Sequence, residues 1–182
     1  MPDNAAAPAT ALVVMGVSGS GKTTLAVAAA QRLGWPFAEG DDFHPPANVA
    51  KMRSGTPLVD DDRWPWLRAV AAWIGQHDTP GAGVVVTCSA LKRSYRDLLR
   101  EGHPSVWFVL VTATQETLER RLEQRRGHYM PPSLLASQLA ILEPLQPDEP
   151  GSTVPGDAPP AAVLDELLAS LAVHLRTLEG HS

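Results

Sequence analysis

A glycine-rich loop between an apolar run and a helical pattern constrains the fold more than any other part of the sequence. From Gly16 to Thr23 the loop follows the spacing G-x-x-x-x-G-K-[ST]. Its glycines let backbone N–H groups curl around a phosphate, while Lys22 can reach the terminal phosphates and the Thr23 hydroxyl can bind Mg²⁺. The loop residues expected to contact a nucleotide are Gly16, Ser18, Gly19, Ser20, Gly21, Lys22, Thr23 and Thr24. The sequence therefore predicts a strand–loop–helix unit that binds a nucleoside triphosphate.

Apolar runs alternate with helical patterns along the rest of the chain, which is typical of a parallel sheet covered on both faces. The predicted strands are Ala11–Met15, Trp35–Ala38, Val84–Cys88, Val106–Val111 and Ser152–Val154. The predicted helices are Lys22–Leu33 ended by Gly34, Ala47–Arg53, Trp64–His77 with Asp61 or Asp62 as its N-cap, Lys92–Arg100, a helix from Thr114 as cap to Arg126, Ser133–Leu142 and Ala161–Leu178. The prediction is one three-layer α/β/α domain at residues 10–182 with a mainly parallel five-stranded sheet, after a disordered tail at residues 1–9.

Composition excludes several classes of function. The net charge of −5 argues against a general nucleic-acid or membrane-surface role. The single cysteine, Cys88, cannot form an intramolecular disulfide and fits a reducing compartment. The sequence shows no basic signal segment and no apolar stretch near the ~20 residues that span a membrane. We therefore expect a cytoplasmic protein without nucleic-acid or membrane partners.

The segment after the second predicted strand supplies the acidic residues that a phosphate site needs. A guanine-binding Asn-Lys-x-Asp sequence is absent, since the only asparagines are Asn4 and Asn48. The sequence D-x-x-G at residues 78–81 follows a helix, so we interpret it as a turn. No apolar strand ends in aspartate, which leaves Glu39 and Asp41 as the carboxylates for the phosphate site. This layout is typical of small-molecule kinases, in which one acid helps to hold Mg²⁺ and another accepts a hydroxyl proton.

Six segments, in this order along the chain, resemble the gluconokinase family. They are Gly16–Thr24, Glu39–Pro45, Asn48–Gly55, Pro57–Leu67, Cys88–Asp97 and Arg125–Met130. The resemblance extends over about residues 11–150 and implies transfer of the γ-phosphate of ATP to the 6-hydroxyl of D-gluconate. It also implies Mg²⁺, a homodimer, and a P-loop kinase fold with a helical lid, like that of shikimate kinase. Two features depart from the family: Glu39 stands where an aspartate is usual, and the segment at residues 152–157 is richer in Pro and Gly than the usual strand.

The resemblance and the residue chemistry together imply individual roles. The expected catalytic residues are Lys22, Asp41 as the base, and Arg125. Nucleotide contacts are also expected from Arg121 and Arg125, in a lid at about residues 121–135. Mg²⁺ is expected at Thr23 and Glu39. Contacts with gluconate, in a region at about residues 41–67 and further along the chain, are expected from Asp41, His44, Arg53, Ser89, Lys92 and Arg126.

Some assignments stay open between two readings. Arg53 is the expected anchor for the gluconate carboxylate because a planar guanidinium donates two parallel hydrogen bonds, and Lys51 and Lys92 are the alternatives. Trp64 and Trp66 are expected to pack in the interior, and Cys88 to be buried without acting as a nucleophile. Two other functions are compatible with the same loop: a related kinase for another hydroxy acid such as shikimate, and an ATP-binding regulator without catalysis.

Overall fold

Strand and helix alternate along the chain in the computed structural model, which describes residues 9–124 and 132–179. The strands are β1 (Thr10–Met15), β2 (Phe37–Ala38), β3 (Gly83–Thr87), β4 (Val106–Thr112) and β5 (Gly151–Pro155). The helices are α1 (Lys22–Leu33), α2 (Pro46–Arg53), α3 (Asp60–Gln76), α4 (Arg93–Arg100), α5 (Gln115–Gln124), α6 (Pro132–Ile141) and α7 (Pro160–Glu179). A short 3₁₀ helix, Gly40–Phe43, follows β2. The predicted alternation is confirmed.

The strands form one parallel sheet in the order β2-β3-β1-β4-β5. β1 lies in the middle, and its Val13 pairs with Val86 of β3 and with Phe108 of β4. β5 lies at the edge beside β4, where a proline such as Pro155 does not interrupt a further pairing. The predicted five-stranded parallel sheet is confirmed.

Successive residues of β1 point into two different cores, because side chains alternate across a strand. Val13 and Met15 join a core that includes α3 and α4, and Trp66 lies in it, fully buried. Leu12 and Val14 join a second core that includes α1 and α7. Helices therefore cover both faces of the sheet, which is the predicted three-layer architecture.

Helix ends follow the predicted signals in two places and differ in a third. Gly34 ends α1 in the left-handed conformation, at φ 69°, and the Thr114 hydroxyl accepts a hydrogen bond from Thr117 N–H at the start of α5. The prediction that Asp61 or Asp62 caps the third helix is wrong. α3 begins at Asp60, and the Asp62 carboxylate inside its first turn accepts the Val59 N–H at 3.0 Å. Acidic residues favour the positive end of a helix within the first turn as well as at the cap.

Most other boundaries differ from the predictions by one or two residues. β2 begins at Phe37 because the Trp35 N–H bonds to Ala30 O, at the end of α1. Cys88 lies just beyond β3 and is buried, as predicted, and burial raises the pKa of its thiol to about 12. Lys92 precedes α4. The tail at residues 1–8, the final predicted turn of the α5 helix and part of the predicted lid lie outside the described residues.

A buried ion pair joins α4 to the chain between α6 and β5. Arg96 is fully buried, its Nε is 2.5 Å from Glu149 Oε1, and its Nη2 is 2.9 Å from Glu149 Oε2. The other guanidinium hydrogens reach the carbonyl oxygens of Ala90, Leu91, Glu143 and Pro144. Burial alone would raise the pKa of Glu149, but the hydrogen bonds from Arg96 and from Gln146 N–H lower it overall. The pair is therefore charged at neutral pH, and it fixes three segments together.

The longest helix, α7, carries polar residues throughout its length. Among the described helices, none combines the length and the apolar character needed to cross a bilayer.

Candidate active site

The glycine-rich loop joins the carboxyl end of β1 to the first residue of α1. A Cβ atom at Gly16 would lie 2.7 Å from both Ser20 Oγ and Val111 O, so a side chain has no room there. Lys22 opens α1, and its Nζ lies 3.5 Å from Val17 O, which keeps the ammonium group over the loop. The loop therefore leads directly into the amino end of a helix, which is the arrangement in which backbone N–H groups suit a bound anion.

Thr23 and Glu39 are in direct contact. Thr23 Oγ1 donates a hydrogen bond to Glu39 Oε2 at 2.8 Å, and the Thr87 hydroxyl donates to the other oxygen of the same carboxylate. A hydroxyl and one carboxylate beside a phosphate loop suit Mg²⁺, which keeps several waters and needs few protein ligands. These two residues therefore fit the ion that the sequence predicts.

Thr87 has a role that sequence reasoning did not assign. Its hydroxyl accepts the Gly40 N–H at 3.0 Å and holds Glu39 at the same time. The sequence feature that points to Thr87 is a polar residue at the carboxyl end of an otherwise apolar strand.

Asp41 is placed by a tightly packed glycine before it. A Cβ atom at Gly40 would lie 1.8 Å from Thr87 O, and Trp66 Nε1 donates to Gly40 O at 2.7 Å. With its neighbour fixed on both sides, Asp41 projects from the 3₁₀ helix with a mostly exposed carboxylate. Glu39 and Asp41 are thus held on one short, rigid segment.

A cavity beside the loop brings together residues from five parts of the chain. We call it the Arg63 cavity, and its lining consists of Ser18, Lys22, Asp41, His44, Met52, Pro57, Leu58, Arg63, Ser89, Leu134, Ser137 and Gln138. Five predicted site residues are among them: Ser18, Lys22, Asp41, His44 and Ser89. The carboxyl ends of parallel strands are where ligands bind in such sheets, and Ser89 follows β3 there.

Arg63 is the one buried arginine in the lining of this cavity, and sequence reasoning did not select it. Its side chain is 7% exposed, its Nη2 donates to Leu58 O at 3.3 Å, and its Nε has no hydrogen-bond partner among residues 9–124 and 132–179. The guanidinium also lies 5.7 Å from the centre of the Tyr95 ring. The helical periodicity of the apolar residues could have identified Arg63 as buried, because it lies on the same face of α3 as Trp66, Leu67, Val70 and Ile74. An unsatisfied guanidinium beside a cavity suits an anionic ligand.

Three other cations considered for the site, Lys51, Arg53 and Lys92, are not part of the lining of this cavity. Arg53 is exposed, at the end of α2. Lys51 Nζ is 2.7 and 2.8 Å from the two Asp62 oxygens, and Lys92 Nζ is 2.9 and 3.0 Å from those of Asp60.

These ion pairs lower the pKa values of the two carboxylates. Hydrogen bonds from Lys92 and Tyr95 hold the pKa of Asp60 below its ordinary value, and hydrogen bonds from Lys51 and Val59 N–H do the same for Asp62. Arg125 and Arg126 lie outside the described residues, so their roles stay predictions.

His44 is a buried, neutral imidazole. Its ring stacks on Trp66 with centroids 4.2 Å apart, and its Nδ1 lies 3.2 Å from the amide nitrogen of Asn48. Because that amide donates, Nδ1 accepts and Nε2 carries the proton, 3.9 Å from Asp41 Oδ1. Burial lowers the pKa of His44 to about 4, against the raising effect of Asp41, and Arg63 lowers it further. At neutral pH His44 can donate one hydrogen bond toward the cavity.

The pKa of His44 predicts a loss of stability in mild acid. An unfolded histidine binds a proton near pH 6.5, whereas the folded one binds it only near pH 4, so the free energy of unfolding should fall as the pH falls through that window. We expect urea unfolding to show a smaller loss between pH 7 and pH 5 in His44→Gln than in the unsubstituted protein. His174, whose pKa burial also lowers, is common to both proteins. Parallel pH profiles for the two proteins would contradict the assignment.

A second cavity, of about 350 Å³, lies on the other side of the loop. We call it the Arg121 cavity, and it is lined by Gly19, Ser20, Gly21, Thr24, Leu25, Ala28, Val111, Arg121, Gln124, Gly156, Ala158, Pro160 and Val163. Arg121 donates to Gly19 O, Ser20 O and Gly156 O at 3.3, 3.1 and 2.7 Å, which joins the phosphate loop to the turn after β5. The apolar walls suit a planar base, and the polar edge faces the loop.

Comparison with known proteins agrees with this geometry. Residues 12–145 match the family described as AAA domain. The chain is 54% identical over 157 residues to the gluconokinase of Gluconobacter oxydans (strain 621H), an alignment that covers 86% of this chain and 88% of that protein. The solved gluconokinase from Sinorhizobium meliloti 1021 has a TM-score of 0.87 at 45% identity, over 97% of this chain and 99% of that one. An unliganded sugar kinase from Janibacter sp. HTCC2649 has a TM-score of 0.86 at 50% identity, over 91% and 95% of the two chains. The chain therefore belongs to the gluconokinase family.

Proposed function

We propose that the protein transfers the γ-phosphate of ATP to the 6-hydroxyl of D-gluconate, giving 6-phospho-D-gluconate and ADP. The observation that carries this proposal is the Arg63 cavity, which unites Lys22, Asp41 and a buried guanidinium beside the phosphate loop. The relatives named gluconokinase support the choice of substrate. The Arg121 cavity, on the opposite side of the loop, is the place for the adenosine part of ATP.

The proposed transfer uses residues that surround the 6-hydroxyl of gluconate and the γ-phosphate of ATP. The Asp41 carboxylate accepts the proton of the 6-hydroxyl while that oxygen attacks the γ-phosphorus. The bond from the γ-phosphorus to the bridging oxygen breaks, and ADP leaves with the electron pair. Lys22 stabilises the charge on the moving phosphoryl group. Thr23 and Glu39 would hold Mg²⁺, which neutralises phosphate charge when it is bound.

We assign the anchor for the gluconate carboxylate to Arg63. Arg53 was the sequence-based expectation, but its side chain is exposed and is not part of the cavity lining. Lys51 and Lys92, the alternatives, each form an ion pair with an α3 carboxylate. A guanidinium at one end of the cavity and the Asp41 base at the other would select acceptors by the length of their carbon chain. Glucose lacks the carboxylate and would leave the guanidinium unsatisfied, so it should be a poor substrate.

The effect of Arg63→Lys tests this anchor. Lysine keeps the charge but cannot donate two parallel hydrogen bonds, so the KM for gluconate should rise roughly tenfold or more while the KM for ATP stays within about twofold. Arg53→Lys is the matched control and should change neither constant. A selective rise of the gluconate KM in Arg53→Lys, with none in Arg63→Lys, would return the anchor to α2.

The proposed activity is tested by ADP release over a panel of acceptors. The panel should contain gluconate, other sugar acids, shikimate and glucose, with Lys22→Ala as the inactive control. We expect gluconate to give the highest kcat/KM. A preference for another hydroxy acid would support the related-kinase alternative, and tight ATP binding with no acceptor-dependent ADP release would support the regulator.

A further inference from the structure

One wall of the Arg63 cavity comes from α6, far along the chain from the other walls. Leu134, Ser137 and Gln138 of this helix line the cavity. They lie three and four positions apart, which places them on one face of the helix. Leu135 on the same helix shares an apolar cluster with Val17 of the phosphate loop, so α6 packs near that loop.

The side chain of Gln138 makes two hydrogen bonds to one residue of the loop. Its Oε1 accepts the Ser18 N–H at 2.8 Å, and its Nε2 lies 3.2 Å from Ser18 Oγ. The two residues are 120 positions apart in sequence. A carboxamide that uses its acceptor and its donor on the same partner fixes both the distance and the orientation of the two segments.

Ser18 lies between the two cavities. The residue after it, Gly19, lines the Arg121 cavity, whereas Ser18 itself lines the Arg63 cavity with Lys22 and Asp41. The α6 wall is thus joined to the loop at a residue that lies between the two cavities. Transfer depends strongly on this geometry, because a misplacement of about 1 Å can cost about 10²-fold in rate.

We propose that Gln138 is a positioning residue that holds the α6 wall of the acceptor cavity at a fixed distance from the phosphate loop. This inference depends on the proposed function, since it concerns the same site. The Gln138 amide acts through Ser18 and through the helix that carries it. Without the amide, both hydrogen bonds from α6 to Ser18 are lost, and the apolar cluster that contains Leu135 and Val17 is less directional.

Gln138→Met tests the proposal, because methionine keeps the length and apolar stem of glutamine but removes both hydrogen bonds. We expect kcat to fall roughly 10- to 100-fold and the KM for gluconate to rise, with the Kd of ATP within about twofold of the unsubstituted value. The fraction of ATP hydrolysed without forming phosphogluconate should also increase, because a displaced wall admits water.

Gln115→Met is the matched control. Gln115 is exposed on α5 and bonds to Glu119 of the same helix, so its replacement should leave all these constants unchanged. If Gln138→Met behaves like this control while the unsubstituted enzyme phosphorylates gluconate, the proposal is wrong. If the unsubstituted enzyme does not phosphorylate gluconate, the proposed function is contradicted instead.

A double-mutant cycle with Ser18→Ala separates positioning from a general structural role. Ser18→Ala removes only the hydroxyl half of the pair, so its effect on kcat should be smaller than that of Gln138→Met. The double variant should be no slower than Gln138→Met alone, because the bond between the Ser18 hydroxyl and Gln138 is already absent in that variant. If the two effects multiply, the residues act independently and the proposed link is overturned.

Discussion

Asp41→Asn is expected to lower turnover with gluconate by roughly 10²- to 10⁴-fold, the usual range for loss of a general base. Asparagine preserves the shape of the side chain and its place beside Lys22 in the Arg63 cavity, but it cannot accept the hydroxyl proton. Phosphoryl transfer often has a loose transition state with little need for a base, so the lower end of that range is the better expectation. Binding of ATP should be nearly unchanged. Steady-state kinetics and an ATP titration measure the two quantities.

Glu39→Gln should behave differently, although it lies only two residues away. Its carboxylate contacts the Thr23 hydroxyl, so its loss should raise the Mg²⁺ concentration needed for half-maximal rate, and excess Mg²⁺ should restore part of the activity. Asp42→Asn is the control, since Asp42 is exposed and is not in the cavity lining. If excess Mg²⁺ rescues Asp41→Asn and Glu39→Gln alike, the division of roles between the two acids is wrong.

Arg96→Met should lower the free energy of unfolding by about 3–5 kcal/mol, the usual cost of removing one partner from a buried ion pair. The variant leaves Glu149 charged in the interior and removes donors from four carbonyl oxygens. Urea unfolding at pH 7 measures the change.

Arg93→Met is the matched control for that measurement. Arg93, on the same helix as Arg96, forms two hydrogen bonds with Asp148, but this pair is accessible to solvent, so its loss should lower the free energy of unfolding far less. Arg96→Lys keeps the charge but has fewer hydrogen-bond donors, so its free energy of unfolding should lie between those of Arg96→Met and Arg93→Met. This variant provides a measurement even if Arg96→Met does not fold. Equal stabilities for Arg96→Met and Arg93→Met would contradict the assignment.

Local signals in the sequence were sufficient for most of the fold. The five strands, the glycine that ends α1 and the threonine that caps α5 depend on periodicity and on backbone preferences within a few residues. The start of α3 was placed too late because three consecutive aspartates offer several equivalent caps. The second strand was predicted too long because the Trp35 N–H is used by the end of α1, a contact that its apolar character does not reveal.

The candidate site was predictable where its residues follow one another and less so where it is assembled from distant segments. The phosphate loop, Glu39 and Asp41 lie at the ends of the first two strands, so their meeting follows from the sheet order. Arg63 and Gln138 reach the cavity only through the packing of α3 and α6. Choosing between Arg53 and Arg63 required knowing which helix face is buried, and two positions ten residues apart look equally polar in the sequence.

The close fit of Gly40 against the Thr87 carbonyl has a consequence for redesign of the enzyme. Any larger residue at position 40 would push against the backbone of β3 and displace the two acids that flank it. Variant libraries intended to accept shorter or longer acids should therefore leave residues 39–41 untouched. The residues to vary are instead Met52, Leu134 and Ser137, which line the same cavity and have no proposed part in the transfer step. Selection from such libraries would change which acid is accepted while the phosphate chemistry stays the same.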